Sequence, residues 1–521
     1  MTEITVALRR ERYGEICEVR TVTAPAREMT QISGAAFVLA EEKFANLQES
    51  TVIPLVVDLD GTLVKTDLLL ESVVVLLKDR PWYLFALPLW LFKGKASFKR
   101  EIARRVSLDP ELIPYRTELV EYLKTQRAQG RSIVLATAAD EQIAQRIARF
   151  LNVFDLVLAS DGTINLAGEH KRERLVKQFG EKGFDYAANE SKDMAVWRSA
   201  RQAIVITGSQ RFAEVVGKRA EIQGIFKKGH EGVAEYLHAL RPQQWLKNFL
   251  IFVALLGAHR FYEPALWRND LLAFIAFCSC ASSGYLFNDL FDLAADRRHP
   301  QKRLRTFASG RLPLSFALGA MPVLLVLGYL VALLVSHSFV AFLLLYCAAT
   351  LSYSLYIKRI VLLDVIVLAG LYTLRIMAGS AAVAIWPSEW LLAFSMFLFL
   401  SLAFVKRYDE LVVMRSIYGD QAKARGYEMS DAELLASKGT ASGYLAVLVL
   451  ALYINSETAK ALYGRHEFIW ALCPLLLYWV GRMWLMAHRG QMRDDPIVFA
   501  LRDRTSRILI LLMLGTALLA M

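Results

Sequence analysis

The 521-residue sequence predicts two fold classes in one chain: an N-terminal α/β domain with a helical cap, and a C-terminal all-α membrane bundle of about nine transmembrane helices. Three observations predict this. Hydropathy is divided, since 55% of residues are hydrophobic and mean hydropathy is +0.34, yet Met1 to about Gln243 reads as ordinary charged sequence. A short apolar run, Val52 to Val57, ends abruptly in the acidic string Asp58, Leu59, Asp60. From Phe249 onward, apolar runs recur at lengths suited to a bilayer core, which takes ~20 helical residues.

A length of 521 residues is too great for one ordinary core of ~150 residues. The expected division is an extension over 1–50, an α/β domain over 51–235 with its cap at about 66–130, and a membrane domain over 236–521. Net charge is +11, concentrated in short loops beside apolar helices, which fits lipid headgroups and anionic substrates better than nucleic acid. Cys17, Cys278, Cys280, Cys347 and Cys473 show no metal spacing and read as packing residues. No cleavable signal peptide is evident in the first 50 residues.

In the N-terminal part, Val52 to Val57 reads as a buried parallel strand that delivers two carboxylates at its C-terminal end, where ligands of open α/β sheets bind. Further strands are expected at Ser132 to Ala136, Asp155 to Ala159, Phe184 to Ala187 and Ala203 to Thr207. The string DLDGTLVKTD resembles the first motif of the haloacid dehalogenase superfamily, a Rossmannoid fold, and the likeness covers about Val52 to Ala234. The resemblance implies that Asp58 is a phosphoryl-accepting nucleophile and Asp60 a general acid and base, with Thr137 and Lys171 contacting phosphate. It also implies Mg²⁺ on Asp58, Asp60 and Asp193. The fourth motif departs from the pattern, because Ala188, Asn189 and Glu190 stand where many relatives place an acidic metal ligand, and an amide supplies no charge to hold a hard cation. A degenerate domain serving as scaffold is the alternative. Between Thr66 and Arg131 lies a mostly helical insertion whose stretch Pro81 to Phe92, flanked by Lys93 and Lys95, is expected to dock at the membrane interface.

The nine apolar runs are roughly Phe249 to Ala258, Leu271 to Phe287, Leu312 to Val335, Phe339 to Tyr356, Val361 to Ile385, Trp390 to Val405, Tyr444 to Ile454, Phe468 to Ala487 and Ile508 to Met521. Alternate loops carry Lys and Arg: six in Asn288 to Arg311, then Lys358 and Arg359, six in Lys406 to Lys438 and five in His488 to Arg507. The opposite loops hold only Arg260, Arg268, Lys460 and Arg465, which predicts a multi-pass protein of a bacterial-type inner or plasma membrane with its N-terminal domain cytosolic.

The densest signal is GYLFNDLFDLAADRRHPQKRLR. Asp289, Asp292 and Asp296, at i, i+3 and i+7, would fall within about 60° on one helical face. Arg297, Arg298, Lys302, Arg303 and Arg305 follow at once, and carboxylates beside cations are what Mg²⁺ bridging a diphosphate requires. A solvated charge cluster is the bland alternative, disfavoured because carboxylates at a membrane edge are costly.

Here the sequence resembles the UbiA superfamily, whose first aspartate-rich motif has this NDxxDxxxD form, over about Leu240 to Met521. The resemblance implies nine helices around a cavity, Mg²⁺ on Asp289, Asp292 and Asp296, and substrate contacts from Asn288, Arg297, Lys302 and Arg305. RPQQWLKNFLIF, with Arg241, Gln244, Trp245, Lys247 and Asn248, and DRRHPQKRLR, with Thr306 in place of a proline, are similar to the decaprenyl-phosphate phosphoribosyltransferase branch. Gln244 and Lys247 are therefore expected at substrate as well. Prenyltransferases with aromatic acceptors usually carry a second DxxxD pair, whereas here Asp364 is followed four residues later by Leu368.

Arg375 lies 11 residues after Asp364, on the same face and ~16 Å along the axis, with Tyr353 and Lys358 just upstream, and all four are expected to bind substrate. Arg375 favours a donor with a second phosphate; an Arg375–Asp364 ion pair is the structural alternative. Lys406, Arg407, Glu410, Asp494, Asp495, Asp503 and Arg504 line the same side without assigned ligands. The expected function is Mg²⁺-dependent 5-phosphoribosyl transfer from phosphoribosyl diphosphate to a polyprenyl phosphate lipid, with a fused phosphatase. Alternatives are prenyl transfer from a prenyl diphosphate to an aromatic or tetrapyrrole acceptor, and a non-enzymatic membrane scaffold.

Overall fold

The computed structural model describes residues 53–229, 232–419, 423–492 and 495–521. The expected extension over 1–50, Cys17 and Asp494 lie outside the described residues. Contacts divide the chain into two units, one holding Tyr115–Lys228 with the segment that ends at Leu63, the other holding Val64–Pro114 and Gly229–Met521. The insertion expected at about 66–130 is thus divided: its part up to Pro114 groups with the membrane helices, and its last part, from Tyr115, with the α/β sheet.

The first unit is built on a six-stranded parallel sheet. Its strands are β1 (Leu55–Val57), β2 (Ile133–Asp140), β3 (Leu156–Ser160), β4 (Asp185–Ala188), β5 (Gln202–Thr207) and β6 (Glu221–Lys227), in the order β3-β2-β1-β4-β5-β6. The five expected strands are present. The edge strand β6 was missed because its exposed and half-buried residues alternate and Gly224 interrupts it, so no apolar run marks it. Val56, Val134, Tyr186, Val205 and Trp197 form the core beneath the sheet. The order reverses between β1 and β4, and at such a switch point a crevice opens at the carboxyl ends of the strands.

In the second unit, the insertion begins with α1 (Leu68–Asp79), capped by the Asp67 carboxylate, which accepts from the Leu70 amide at 2.9 Å. The bundle follows: α2 (Pro264–Phe291), α3 (Leu293–Arg298), α4 (Leu314–Leu333), α5 (His337–Leu355), α6 (Leu363–Val383), α7 (Glu389–Tyr418), α8 (Ala432–Ile454), α9 (Leu472–His488), α10 (Pro496–Arg502) and α11 (Arg504–Ala520).

Among the described residues, seven helical segments are long and apolar enough to cross a membrane, where the sequence led us to expect nine. The two that differ do so by geometry. Pro242–Phe252 is an 11-residue 3₁₀ helix, followed by a short α-helix at Val253–Gly257, and α11 has only 17 residues. At ~2.0 Å per 3₁₀ residue and ~1.5 Å per α residue, 242–257 still extends ~30 Å. It runs antiparallel to α2, with Arg241 on Asp289, Trp245 on Ser282, Asn248 on Cys278 and Phe252 against Trp267.

Candidate functional site

Two clusters gather titratable side chains, one in each unit. In the α/β unit the switch point brings Asp58 beside β4, its amide donating to the Ala187 carbonyl at 2.9 Å. Lys171 donates to Asp58 Oδ1 at 2.7 Å and to the Tyr186 hydroxyl at 3.0 Å, and stands 3.6 Å from Asp193 Oδ1. Tyr186 in turn donates to Asp193 Oδ1 at 2.7 Å. Burial pushes the Asp58 carboxyl up to about 6, with Lys171 opposing and Asp193 adding to the rise. Burial works against the Lys171 ammonium, but Asp58 and Asp193 outweigh it and hold Lys171 above its ordinary value.

Asn189, which stands where an acidic ligand was expected, accepts from the Thr62 hydroxyl at 2.9 Å, and Thr62 also reaches Asp58 Oδ2 at 3.3 Å. Gly61 has φ +72, and a Cβ there would come within 2.5 Å of Asn189 Nδ2, so the turn admits only glycine. Asp60 is half-buried on that turn. Thr137 is buried on β2, its hydroxyl accepting from the Ala139 amide at 3.0 Å. Asp58, Lys171 and Asp193 therefore converge, joined by Tyr186, Thr62 and Asn189.

The membrane cluster departs from the expected single helical face. Helix α2 stops at Phe291, Asp292 caps it at φ −101, and α3 restarts at Leu293, so the three aspartates stand on a helix, a break and a second short helix. Asp289 pairs with Arg241 and lies 3.6 Å from Arg305 Nη1; the same Nη1 reaches Asp296 Oδ2 at 2.7 Å. Arg305 thus ties Asp289 to Asp296. Asp292 instead accepts from Lys358 at 2.7 and 2.8 Å, and that ammonium also reaches Asn288 Oδ1 at 3.4 Å. Among the described residues no three acidic or His/Cys side chains form a ready metal cage.

Further expected substrate contacts are engaged by protein. Arg297 forms a bidentate pair with Glu71 of α1 at 2.5 and 3.0 Å, and its Nε donates to the Ala308 carbonyl. Asp364 is fully buried between Arg407 and the Tyr427 hydroxyl, which donates to it at 2.6 Å. Consequently the Arg375–Asp364 ion pair that the spacing allowed does not form. Tyr353 accepts from Arg407 at 2.5 Å and from Arg425 at 3.1 Å. Arg425 and Tyr427 belong to a small hairpin of β7 (Lys423–Ala424) and β8 (Tyr427–Glu428), whose turn residues Arg425 and Gly426 both have positive φ.

Arg375 is 4% exposed, and its partners among the described residues are neutral. It donates to Asn248 Oδ1 at 2.9 Å, the Leu371 carbonyl at 2.6 Å and the Tyr346 hydroxyl at 2.9 Å, with the Tyr346 and Tyr372 rings 4.8 and 5.4 Å away. Three of its five N–H donors are used. Lys247 stacks on Tyr372 at 5.5 Å and pairs with Asp495 at 2.7 Å, which Lys406 also reaches at 2.9 Å. Burial favours the neutral acid at Asp495, but Lys247 and Lys406 reverse that and hold its carboxyl far below the usual range. Lys302 is lowered by burial, with Glu410 opposing. Gln244 is half-buried on the 3₁₀ segment.

Counting along this network, the cations Arg241, Lys247, Lys302, Arg305, Lys358, Arg375, Lys406, Arg407 and Arg425 outnumber the acids Asp289, Asp292, Asp296, Asp364, Glu410 and Asp495. Such a site draws anions. Sequence reasoning did not assign Glu71, Arg425 or Tyr427 to it; Arg241 alone had a signal, its place in RPQQW.

A family model described as the UbiA prenyltransferase family matches residues 249–519. An uncharacterized protein of Sinorhizobium fredii is 35% identical over 458 residues, covering 87% of this chain and 88% of its own, an alignment long enough to take in parts of both units. The nodulation protein NoeC of Azorhizobium caulinodans is 38% identical over 279 residues, covering 53% of this chain and 90% of its own. A decaprenyl-phosphate phosphoribosyltransferase of Mycolicibacterium smegmatis is 29% identical over 292 residues, covering 54% of this chain and 91% of its own. Among solved structures, a UbiA homolog from Archaeoglobus fulgidus bound to GPP and Mg²⁺ aligns with 54% of this chain and 99% of its own, with a TM-score of 0.41 and 15% identity.

Proposed function

Since the chain belongs to the UbiA prenyltransferase family, a family of membrane transferases, we propose that it moves a 5-phosphoribosyl group from phosphoribosyl diphosphate to a polyprenyl phosphate. The observation that carries this reading is Arg375, a buried cation with no carboxylate partner among the described residues, whose partners there are none of those that hold Arg241, Arg305 and Lys358 at the aspartates. Phosphoribosyl diphosphate is anionic at both ends. Its diphosphate suits Arg241, Arg305 and Lys358, and its 5-phosphate suits Arg375. A prenyl diphosphate would present hydrocarbon to that second cation. The likeness to the phosphoribosyltransferase of M. smegmatis, at 29% identity, supports the same choice.

In the proposed reaction a lipid phosphate oxygen bonds to C1 of the ribose as the C1–O bond to diphosphate breaks, and the diphosphate leaves with the electron pair. The acceptor is already ionised, so no base is needed. The chain's own contribution is alignment and stabilisation of charge on the departing diphosphate by Arg241, Arg305 and Lys358. Mg²⁺, when bound, would supply further charge to that leaving group. The oxygens of Asp289 and Asp296, already gathered on one guanidinium, fit such an ion, with Asp292 and Asn288 beside them. Mg²⁺ is usually held by one or two carboxylates plus substrate phosphates, so a three-acid cage is not required.

The α/β unit, on this reading, is a haloacid dehalogenase-like phosphatase over about 51–235 on the cytosolic side, acting on the product's 5-phosphate. Asp58 would attack phosphorus, Asp60 would protonate the departing ribose oxygen, and water would then release phosphate. Thr137 and Lys171 would contact the phosphoryl group. The word prenyltransferase in the family description favours a second reading, prenyl transfer, which would use the same aspartates.

Purified protein in nanodiscs with Mg²⁺, polyprenyl phosphate and radiolabelled phosphoribosyl diphosphate should place label in the lipid. Label entering an acceptor from a prenyl diphosphate instead would establish the second reading, and label from neither would leave a scaffold.

A further inference from the structure

Helix α1 is fastened to the end of α2 where the aspartates begin. Lys78 Nζ donates to the Phe291 carbonyl at 2.6 Å, and Val74 packs in one cluster with Leu286, Leu290 and Leu293. Three residues beyond Lys78, within ~11 Å at 3.8 Å per residue, the chain enters Pro81–Phe85, a 3₁₀ turn, and then the helix Ala86–Phe92. No side chain of these twelve residues is buried. Tyr83 and Trp90 turn toward Arg105, whose guanidinium lies 5.5 and 4.6 Å from their rings. Trp82, Leu84, Phe85, Leu89, Leu91 and Phe92 are left exposed, Phe85 at 80% and Phe92 at 89%.

Water disfavours a contiguous apolar patch of this kind, and burying it is what stabilises it, so it is not left exposed without cause. Its length excludes a crossing, because ~20 residues are needed and this run has 12. Its charge selects the partner. Arg80, Lys93, Lys95, Lys99 and Arg100 flank it, and no Asp or Glu stands between Asp79 and Glu101. A basic rim around tryptophan, phenylalanine and leucine, fixed beside the end of a membrane-crossing helix, matches the headgroup and acyl boundary of an anionic bilayer. We infer that residues 81–92 are seated in the leaflet that the aspartate loop faces, so that the insertion is a membrane anchor holding α1, and with it Glu71, against that loop.

Hydroxyl-radical footprinting of the unaltered protein, one copy per nanodisc, tests this without a variant that might misfold. With each rate divided by the intrinsic reactivity of its residue type, Trp82, Phe85 and Phe92 in discs containing phosphatidylglycerol should be oxidised several-fold less than Ile164, an exposed apolar residue of the α/β unit. Oxidation at the rate of Ile164 would overturn the inference. Protection that requires two copies per disc would assign the face to a second chain and overturn it equally. Protection should weaken in discs of phosphatidylcholine alone, and equal protection in both lipids would overturn the role of the basic rim.

Discussion

A buried guanidinium with no carboxylate partner among the described residues is suited to take its counter-charge from an anionic ligand, and on the proposed reading Arg375 does so, oriented by Asn248, Leu371 and Tyr346. Replacing Arg375 by Gln should raise KM for phosphoribosyl diphosphate by about 10- to 100-fold, the worth of a hydrogen bond to a charged group, with a smaller change in kcat. An unchanged KM in steady-state assays would remove the 5-phosphate from this position. Arg407 serves the opposite purpose. It is 1% exposed and satisfies Asp364 and Glu410 together. Arg407→Met would leave the buried Asp364 without its cation, held only by the Tyr427 hydroxyl, and Glu410 with Arg425 alone, and should cost about 3–5 kcal/mol, read as a lower Tm in detergent, with no preference among donors. The sequence made Asp364 and Arg375 visible as buried ionisable residues on one face, but it did not reveal their partners. Helical spacing reports only what one helix brings together, and Arg407 and Tyr427 come from α7 and a hairpin.

Elements show the same division between what pattern reveals and what packing decides. Apolar runs located the seven long segments, because in a bilayer the hydrocarbon thickness fixes helix length. They did not show that 242–257 is largely 3₁₀, since its composition is that of any apolar helix. That conformation goes with a close approach: a Cβ on Gly379 of α6 would strike the Ile251 carbonyl. Gly379→Ala should therefore displace the segment that carries Arg241, Lys247 and Asn248, at a cost of about 1–3 kcal/mol, with transfer falling because three site residues move together. Full activity and an unchanged Tm in that variant would mean that the two elements are not pressed together in the bilayer. The break at Asp292 escaped prediction for a related reason. The weak helix formers Asn and Asp are spread through NDLFDLAAD and mark no single break, and the α2 cap accompanies the pull of Lys358 on Asp292, a contact from the 3₁₀ turn Ile357–Arg359 beyond α5 that local propensity does not encode.

At the scale of the molecule, the α/β sheet was readable strand by strand because its strands are short buried runs ending in turns, whereas the allegiance of the insertion was not. Residues 64–114 lie within the α/β sequence yet share a hydrophobic cluster and the Glu71–Arg297 pair with the membrane helices. If the two sites act in sequence on one lipid, each can be silenced alone. Asp289→Ala should abolish transfer, by loss of the carboxylate that Arg241 and Arg305 share. Asp58→Asn should leave transfer intact and stop phosphate release, so that labelled phosphoribosyl lipid accumulates; loss of transfer in this variant would show that the sites are not independent. A lipid product is confined to the bilayer but free to diffuse within it. Reconstituting both variants into the same vesicles should therefore restore release of phosphate, whereas reconstituting them into separate vesicles should not. Absence of release from the mixed vesicles, with each remaining activity verified alone, would mean that the intermediate never leaves the chain that made it, and the reason for carrying both units on one polypeptide would be direct transfer and not convenience of supply.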